Sequence, residues 1–368
     1  MSRTKVNSGA SVLNKGLSVL ESVERAPAPA TIQEIARLTG IQRLAVYRIL
    51  ATLEQRGYVL RDDSKRYRPA TRRRRLQVGY VAPLSGNAFR EDLARSLQDA
   101  AAQAGVDLLM FDNADRDAHA AGANAERLID ARVDAAIFFQ PVEAVGHIVA
   151  DRLFCAHIPF ITVERPIQGG IYFGANNYQA GKMAGVVLGQ FAKTSWKSRF
   201  HRVVLLEPEQ TSTNVHARIA GVLLGIRSVL GEIDEARVVH LEAAAGHVES
   251  SQRAVTVLLK KTDRGQRLLI SGFNDLCAVG ALRAVREAGR ENDVAIVGQN
   301  AAREGREEIH RNGSRLIASI AYFPEKYGAR LVQLAADLVA RRQVPPAMYT
   351  NHVVLDRRNI GFYYPVSA

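Results

Sequence analysis

Polar and aromatic side chains recur just after short β-rich runs in the later part of this chain. Asn87, Phe89 and Arg90 follow the run from Gln77 to Ala82, and Glu164 with Arg165 follows Phe160 to Val163. Asn214 and, on the next helical stretch, Arg218 follow Val203 to Leu206; Asn274 and Asp275 follow Leu268 to Ser271; Gln299 and Asn300 follow the run that begins at Val294. Amides, carboxylates and guanidinium forks, with an aromatic ring to stack, are the groups a hydroxyl-rich ligand needs. Loops at strand ends are polar in any case, so the reading rests on the coincidence at several ends. No G-x-S-x-G elbow, Walker motif, HExxH or dinucleotide fingerprint occurs, and the histidines are scattered, so neither an enzyme nor a cofactor or metal site is expected.

For such ends to converge, the runs must share a sheet. The chain alternates β-rich runs with helical stretches: 77–82 then 90–104, 106–111 then 119–131, 135–139 then 143–153, and 160–163. A second series runs 203–206, 216–230, 238–241, 249–261, 268–271, 275–288 and 294–297. Alternation of this kind implies parallel sheets covered by helices. Two consecutive series imply two lobes, with a ligand cleft between the carboxyl ends of their strands.

A different chemistry occupies the first fifth of the chain. Residues 1 to 75 hold sixteen Lys and Arg against six Asp and Glu, a net of +10, whereas residues 76 to 368 hold 33 against 31, a net of +2. Such a basic segment is a solvated tail or, if it folds, a partner for phosphates. Its pattern predicts folding. Leu13, Leu17, Leu20 and Val23 mark a first amphipathic helix, ending near the Pro27 and Pro29 breakers. Thr31 with Glu34 forms a capping box for a second helix, whose buried stripe is Ile32, Ile35, Ala36 and Leu38 and which stops at Gly40. Leu44, Val46, Tyr47, Ile49, Leu50 and Leu53 mark a third helix, closed by Gly57. Tyr58 to Leu60 and Tyr67 to Pro69 flank a polar turn as a β-hairpin. Helix, helix, turn, helix and wing is a winged helix-turn-helix, which sets the third helix in the major groove. Gln42, Arg43, Tyr47 and Arg48 would face the groove, where Arg reads guanine and Gln reads adenine. Arg61, Lys65, Arg66 and Arg68 would put the wing on phosphates. Each of these charges taken alone is equally an ordinary solvated one.

The 368 residues, 47% of them apolar, suffice for real cores. No apolar run approaches 20 residues and no secretory leader is evident, so a cytoplasmic chain with no membrane contact is expected. Cys155 and Cys277 lie in apolar stretches and are expected as buried spectator thiols. The run from Thr71 to Arg75 is either a basic linker beside DNA or a solvated spacer.

Two resemblances follow. Segment 13–69 resembles the N-terminal domain of IclR-type regulators, through Glu34-Ile35-Ala36, Thr39-Gly40, Leu50-Ala51-Thr52-Leu53, Gly57-Tyr58-Val59 and Tyr67-Arg68. Leu44 and Ala45 stand where that family has Ser or Thr for phosphate contacts, so those contacts are not carried over. Residues 77–368 resemble the type I periplasmic sugar-binding fold shared with LacI/GalR effector domains. The matching elements are Val133 to Ile137, Ile158 to Arg165, Asn176 to Gly181, Arg218 with Gly221, Phe273-Asn274-Asp275 and Ile317 to Pro324.

The second resemblance implies a two-lobed α/β domain, with lobe 1 at about 77–177 and 323–347 and lobe 2 at about 178–322 and 348–368. It follows a winged-helix domain at 1–70 and a linker at 71–76. It also implies ligand roles for Asn87, Phe89, Glu164, Arg165, Arg218 and Asn274. Asn300 stands where an Asp is usual, Tyr322 where a Gln is usual, and Arg90 where an aromatic is usual. Losing an acid and gaining a base points to an acidic or phosphorylated sugar. The expected protein is an effector-responsive regulator that binds operator DNA as a homodimer. A sugar-binding protein of an uptake system is the rival reading, opposed by the winged helix.

Overall fold

The computed structural model describes residues 8–70, 75–84, 86, 88–113, 117–208, 213–242 and 247–365. The chain divides into two units, Met1–Leu76 and Gln77–Ala368.

The first unit contains α1 (Ser8–Glu24), α2 (Ile32–Thr39), α3 (Arg43–Gln55), β1 (Val59–Arg61) and β2 (Tyr67–Pro69). The expected capping box forms. Thr31 accepts the Glu34 N–H on its hydroxyl at 3.3 Å, and it donates its own N–H at 2.7 Å and its hydroxyl at 2.9 Å to Glu34 Oε2, which holds the Glu34 carboxyl below its usual range. Gly40, at φ +68°, ends α2 in the left-handed conformation that glycine adopts without a Cβ clash. α3 ends in a Schellman turn: Tyr58 N–H reaches the Leu53 carbonyl at 2.7 Å and Gly57 N–H the Glu54 carbonyl at 3.0 Å. β1 and β2 pair antiparallel, Val59 opposite Pro69 and Arg61 opposite Tyr67.

Val19, Val23, Ile35, Val46, Leu50, Val59 and Tyr67 form the core of this unit. The expected stripes are corrected here. Leu13, Leu17 and Leu38 are exposed rather than buried. Val19, Val23, Ile35, Val46 and Leu50 take the inward positions, with Leu20, Ile32, Ala36, Ile49 and Leu53 packed partly buried against them.

In the second unit the chain builds β3 (Gln77–Ala82), α4 (Ala88–Ala104), β4 (Asp107–Asp112), α5 (Ala118–Asp130), β5 (Ala135–Phe138), α6 (Glu143–Cys155), β6 (Phe160–Val163) and β7 (Ile171–Ala175). It continues with α7 (Asn177–Trp196), β8 (Arg202–Glu207), α8 (Thr213–Leu230), β9 (Val238–Glu242), α9 (Val248–Lys260), β10 (Leu268–Gly272), α10 (Asp275–Glu287), β11 (Val294–Asn300), α11 (Arg303–His310) and β12 (Leu316–Ala321). Then come α12 (Tyr327–Val339), β13 (Ala347–Thr350), β14 (Val353–Asp356) and α13 (Ile360–Tyr363).

One sheet has the order β13-β7-β6-β5-β3-β4 and is parallel throughout. The other has the order β14-β12-β11-β10-β8-β9 and is parallel except for the antiparallel edge strand β14. Strands such as β5, β6 and β10 are buried along their whole length, as helices on both faces of a parallel sheet require. The third crossing between lobes, expected at 347, falls between β13 and β14 instead, because Met348, Tyr349 and Thr350 pair with β7. Cys277 is buried as expected, but Cys155 is exposed, since it closes the last turn of α6 on the outer face.

α7 and α8 touch backbone to backbone. A Cβ on Gly181 would stand 1.9 Å from the Arg218 carbonyl oxygen, and one on Gly225 would stand 2.2 Å from that of Lys182. Neither oxygen can yield without the helix moving. Gly181→Ala should therefore cost about 1–3 kcal/mol as overpacking, read as a lower midpoint in urea unfolding of the full chain; an unchanged midpoint would show that the two helices separate freely.

Candidate functional site

All three connections between the lobes lie at carboxyl ends of strands: at Asn176 after β7, at Tyr322 and Phe323 after β12, and at Asn351 and His352 after β13. This topology turns the carboxyl edges of both sheets toward one another, which is where open α/β sheets hold ligands. His352 ties the three together. Its Nε2 accepts the Asn176 N–H at 3.0 Å and its ring lies 5.0 Å from that of Tyr322. Burial moves the imidazole down to about 4, so it stays neutral and keeps its acceptor.

The first lobe contributes an aromatic corner. Phe89 lies 6.0 Å from Phe139 and 6.2 Å from Tyr327, both edge-on, and Phe173 lies 5.1 Å from Tyr327. Arg90 is partly buried in the first turn of α4, close enough to Tyr80 to act on its phenol. Asn87 lies outside the described residues. Glu164 ends β6 at φ +58°, a left-handed conformation that costs a non-glycine residue about 1–3 kcal/mol. Gly174 makes room for that turn, because a Cβ there would sit 2.9 Å from the Glu164 backbone.

Glu164 Oε1 accepts the Ala175 N–H at 3.1 Å and the Tyr327 hydroxyl at 2.8 Å. The residue keeps some exposed surface, but its carboxyl is enclosed, and burial pushes it above the usual carboxylate range against the pull of Tyr327 and Arg218. Arg165 pairs with Glu143 at 3.4 Å.

The second lobe answers across the cleft. Asn214 Nδ2 donates to the Glu164 carbonyl at 2.9 Å. Arg218 donates to Asn177 Oδ1 at 3.0 Å and to the Phe273 carbonyl at 2.6 Å, and lies over the rings of Phe273 and Tyr322 at 4.4 and 5.4 Å. The remaining N–H groups of its fork are those a ligand could use. Tyr322 is buried, with its hydroxyl donated to Gln299 Oε1 at 2.9 Å, so it backs Arg218 with its ring. Asn274 Oδ1 accepts the Cys277 N–H at 2.8 Å as the cap of α10. Asn300 closes β11 at φ +80°, and its Oδ1 is buried with no hydrogen-bond partner among the described residues.

The first unit presents a second surface. Gln42, Arg43, Tyr47 and Arg48 lie exposed at the start of α3, and Arg61, Lys65, Arg66 and Arg68 lie exposed on the hairpin. Arg66 also donates to the Pro29 carbonyl at 3.1 Å, and Arg61 lies 5.8 Å over the Tyr67 ring. Leu44, 63% exposed beside Tyr47 and Arg48, joins that face. The structure also brings Phe139, Tyr327, Asn177 and His352 to the cleft, none of which sequence reasoning named. Phe139 directly follows β5 and was open to the strand-end argument, whereas the other three are set by the crossings.

A model of the periplasmic binding protein domain matches residues 78–343, well over half of the chain. The chain belongs to the periplasmic binding protein domain family. Ahead of that domain, a model of the IclR helix-turn-helix domain matches residues 12–63. Solved structures share the periplasmic binding protein fold. A periplasmic solute-binding protein of an ABC transporter from Actinobacillus succinogenes, with bound D-allose, is 20% identical with a TM-score of 0.66 over 78% of this chain and 99% of its own. A solute-binding protein from Bacillus halodurans with bound myo-inositol is 18% identical, TM-score 0.66, over 80% and 99%. One from Mycobacterium smegmatis with bound glycerol is 18% identical, TM-score 0.68, over 80% and 98%.

Within this periplasmic binding protein domain the Tyr327–Glu164 contact gives a pH-dependent expectation. Tyr327→Phe removes a donor that lowers the Glu164 carboxyl, so that pKa climbs further. Because a raised folded-state carboxyl costs stability as pH rises above its unfolded value, the variant should lose about 1–3 kcal/mol at pH 8 and less at pH 5. Thermal unfolding at the two pH values checks this; equal losses at both would contradict it.

Proposed function

We propose that this chain is an effector-responsive transcription regulator: residues 1–70 bind operator DNA, 71–76 link, and 77–368 bind a small sugar-like effector between two lobes. The observation that carries the reading is the union, in one chain, of a helix-turn-helix domain that together with its arginine-rich linker (residues 1–75) bears a net +10, and a two-lobed binding domain bearing +2. α3 offers Gln42, Arg43, Tyr47 and Arg48 for base edges, with Leu44 suited to a thymine methyl. The hairpin arginines and Lys65 supply phosphate contacts. The same union disfavours an uptake protein and a catalytic role, and it fits a cytoplasmic homodimer reading a pseudo-palindromic site. Effector closure of the lobes changes the spacing or freedom of the paired winged helices and hence their operator affinity.

The effector class we infer is an acidic or phosphorylated sugar. Arg165 directly follows β6, Arg90 and Arg218 lie near the starts of α4 and α8, Asn300 holds no charge, and burial favours the neutral form of Glu164. A cleft biased toward positive charge suits an anionic polyol. In a thermal-shift screen, D-gluconate, D-galacturonate or sugar phosphates should stabilise the protein more than D-allose or myo-inositol, by about 2.7 kcal/mol at a hundred times Kd. Arg218→Ala and Arg165→Ala should reduce that shift. Tighter binding of the neutral sugars in calorimetry would refute the acidic class, and no response to any sugar would refute the effector site.

For the DNA surface, Arg48→Ala should weaken binding to a selected operator by about 1–3 kcal/mol while leaving binding to random duplex nearly unchanged, measured by fluorescence anisotropy at fixed salt. Equal loss on both duplexes would reassign Arg48 to the phosphate backbone.

A further inference from the structure

Asp275 is the first residue of α10, is fully buried, and pairs with no Lys or Arg among the described residues. A buried acid without a cation is costly, so its partners are informative. Asp275 Oδ1 accepts the Ser319 hydroxyl at 2.7 Å, and Oδ2 accepts the Ala302 N–H at 2.6 Å. Ser319 Oγ in turn accepts the Ala301 N–H at 3.0 Å. Two glycines make the socket: a Cβ on Gly298 would stand 1.9 Å from Asp275 Oδ1, and one on Gly305 would stand 2.5 Å from Oδ2.

The two captured amides belong to a strained turn. Asn300 and Ala301 are successive non-glycine residues in the left-handed region, at φ +80° and +53°. Such a pair persists only when the surroundings hold it. Here the holders are the Asp275 carboxylate and the Ser319 hydroxyl, and what they hold in place is Asn300, whose Oδ1 is buried without a partner at the carboxyl end of β11.

We propose that Asp275 is a positioning residue of the effector cleft: with Ser319 it anchors the Ala301 and Ala302 amides and thereby fixes where the Asn300 side chain stands. This rests on reading the cleft as the effector site. The anchor is strongest when the carboxylate is ionised, because a charged acceptor roughly doubles the strength of each hydrogen bond. Burial moves the carboxyl up to about 7, opposed by the Ser319 hydroxyl, the Ala302 amide and Arg306 on α11, with Glu304 on α11 adding to the rise; the Tyr322 phenol, just after β12, also faces it. The turn therefore tightens as pH rises through neutrality, while the contribution of Asp275 to stability falls between the ordinary carboxyl value and about 7, since there the folded chain holds a proton that the unfolded chain has released.

The test is a titration of the full chain, labelled for amide NMR, between pH 5.5 and 8.5. In the wild type the Ala301 and Ala302 amide resonances and the Asn300 side-chain amide should move together with a midpoint near 7. In Asp275→Asn none should titrate. Should that variant fold poorly, Ser319→Ala provides the second arm: Ala302 still titrates, whereas Ala301 and Asn300 lose most of their shift. Backbone titration with a motionless Asn300 signal would overturn the positioning role, and so would titration that survives Asp275→Asn. The two readings fail separately, because absence of any sugar response in the thermal screen leaves this titration unchanged.

Discussion

The second unit is organised by one topological constraint, that the chain passes between its two sheets three times and always at carboxyl strand ends. Parallel strands need long return connections, so a strand that ends at the interface can continue into the opposite lobe as easily as back along its own. Once Asn176, Tyr322 and His352 lie side by side, the carboxyl edges of both sheets have no choice but to face each other. Most buried polar groups in folded proteins are paired. The imidazole of His352 does this for the Asn176 amide, Gln299 for the Tyr322 hydroxyl and Asn177 for Arg218.

The same junction concentrates backbone strain. Glu164, Asn300, Ala301 and Phe323 all have positive φ without being glycine, and all stand at the ends of β6, β11 or β12. Each turn redirects a side chain that would otherwise continue the alternation of its strand. The strain is local and is compensated locally, by Gly174 beneath Glu164 and by the Asp275–Ser319 pair beneath Asn300. Side chains aimed in this way keep their direction when a ligand arrives, because less ordering remains to be lost on binding.

Signals confined to a few adjacent residues were legible in the sequence. Thr31 with Glu34 declared its helix start, Gly40 and Gly57 declared ends, and the alternation of β-rich and helical runs declared two parallel sheets. Burial within the helices was less legible: Leu13, Leu38 and Leu44 are as apolar as Val19, Ile35 and Val46 but lie outside the core. At the cleft, residues directly after strands could be named, while Tyr327 and His352 could not. Their place depends on where the chain crosses, and a shift of a few residues at β13 is invisible in composition. Arg218 and Glu164 were named, but their protein partners, Asn177 and Tyr327, are separated from them by 41 and 163 residues.

The glycine contacts between α7 and α8 have a mechanical consequence. α7 begins at the first crossing, and α8 carries Asn214 and Arg218. With backbones touching at Gly181, Gly185, Gly221 and Gly225, no layer of side chains lies between the helices to absorb a displacement. The pair is a stiff lever, with its fulcrum at the crossing and its load at the cleft. Strand-end side chains can then be exchanged without disturbing the helix pair, because none of them lies between the two backbones.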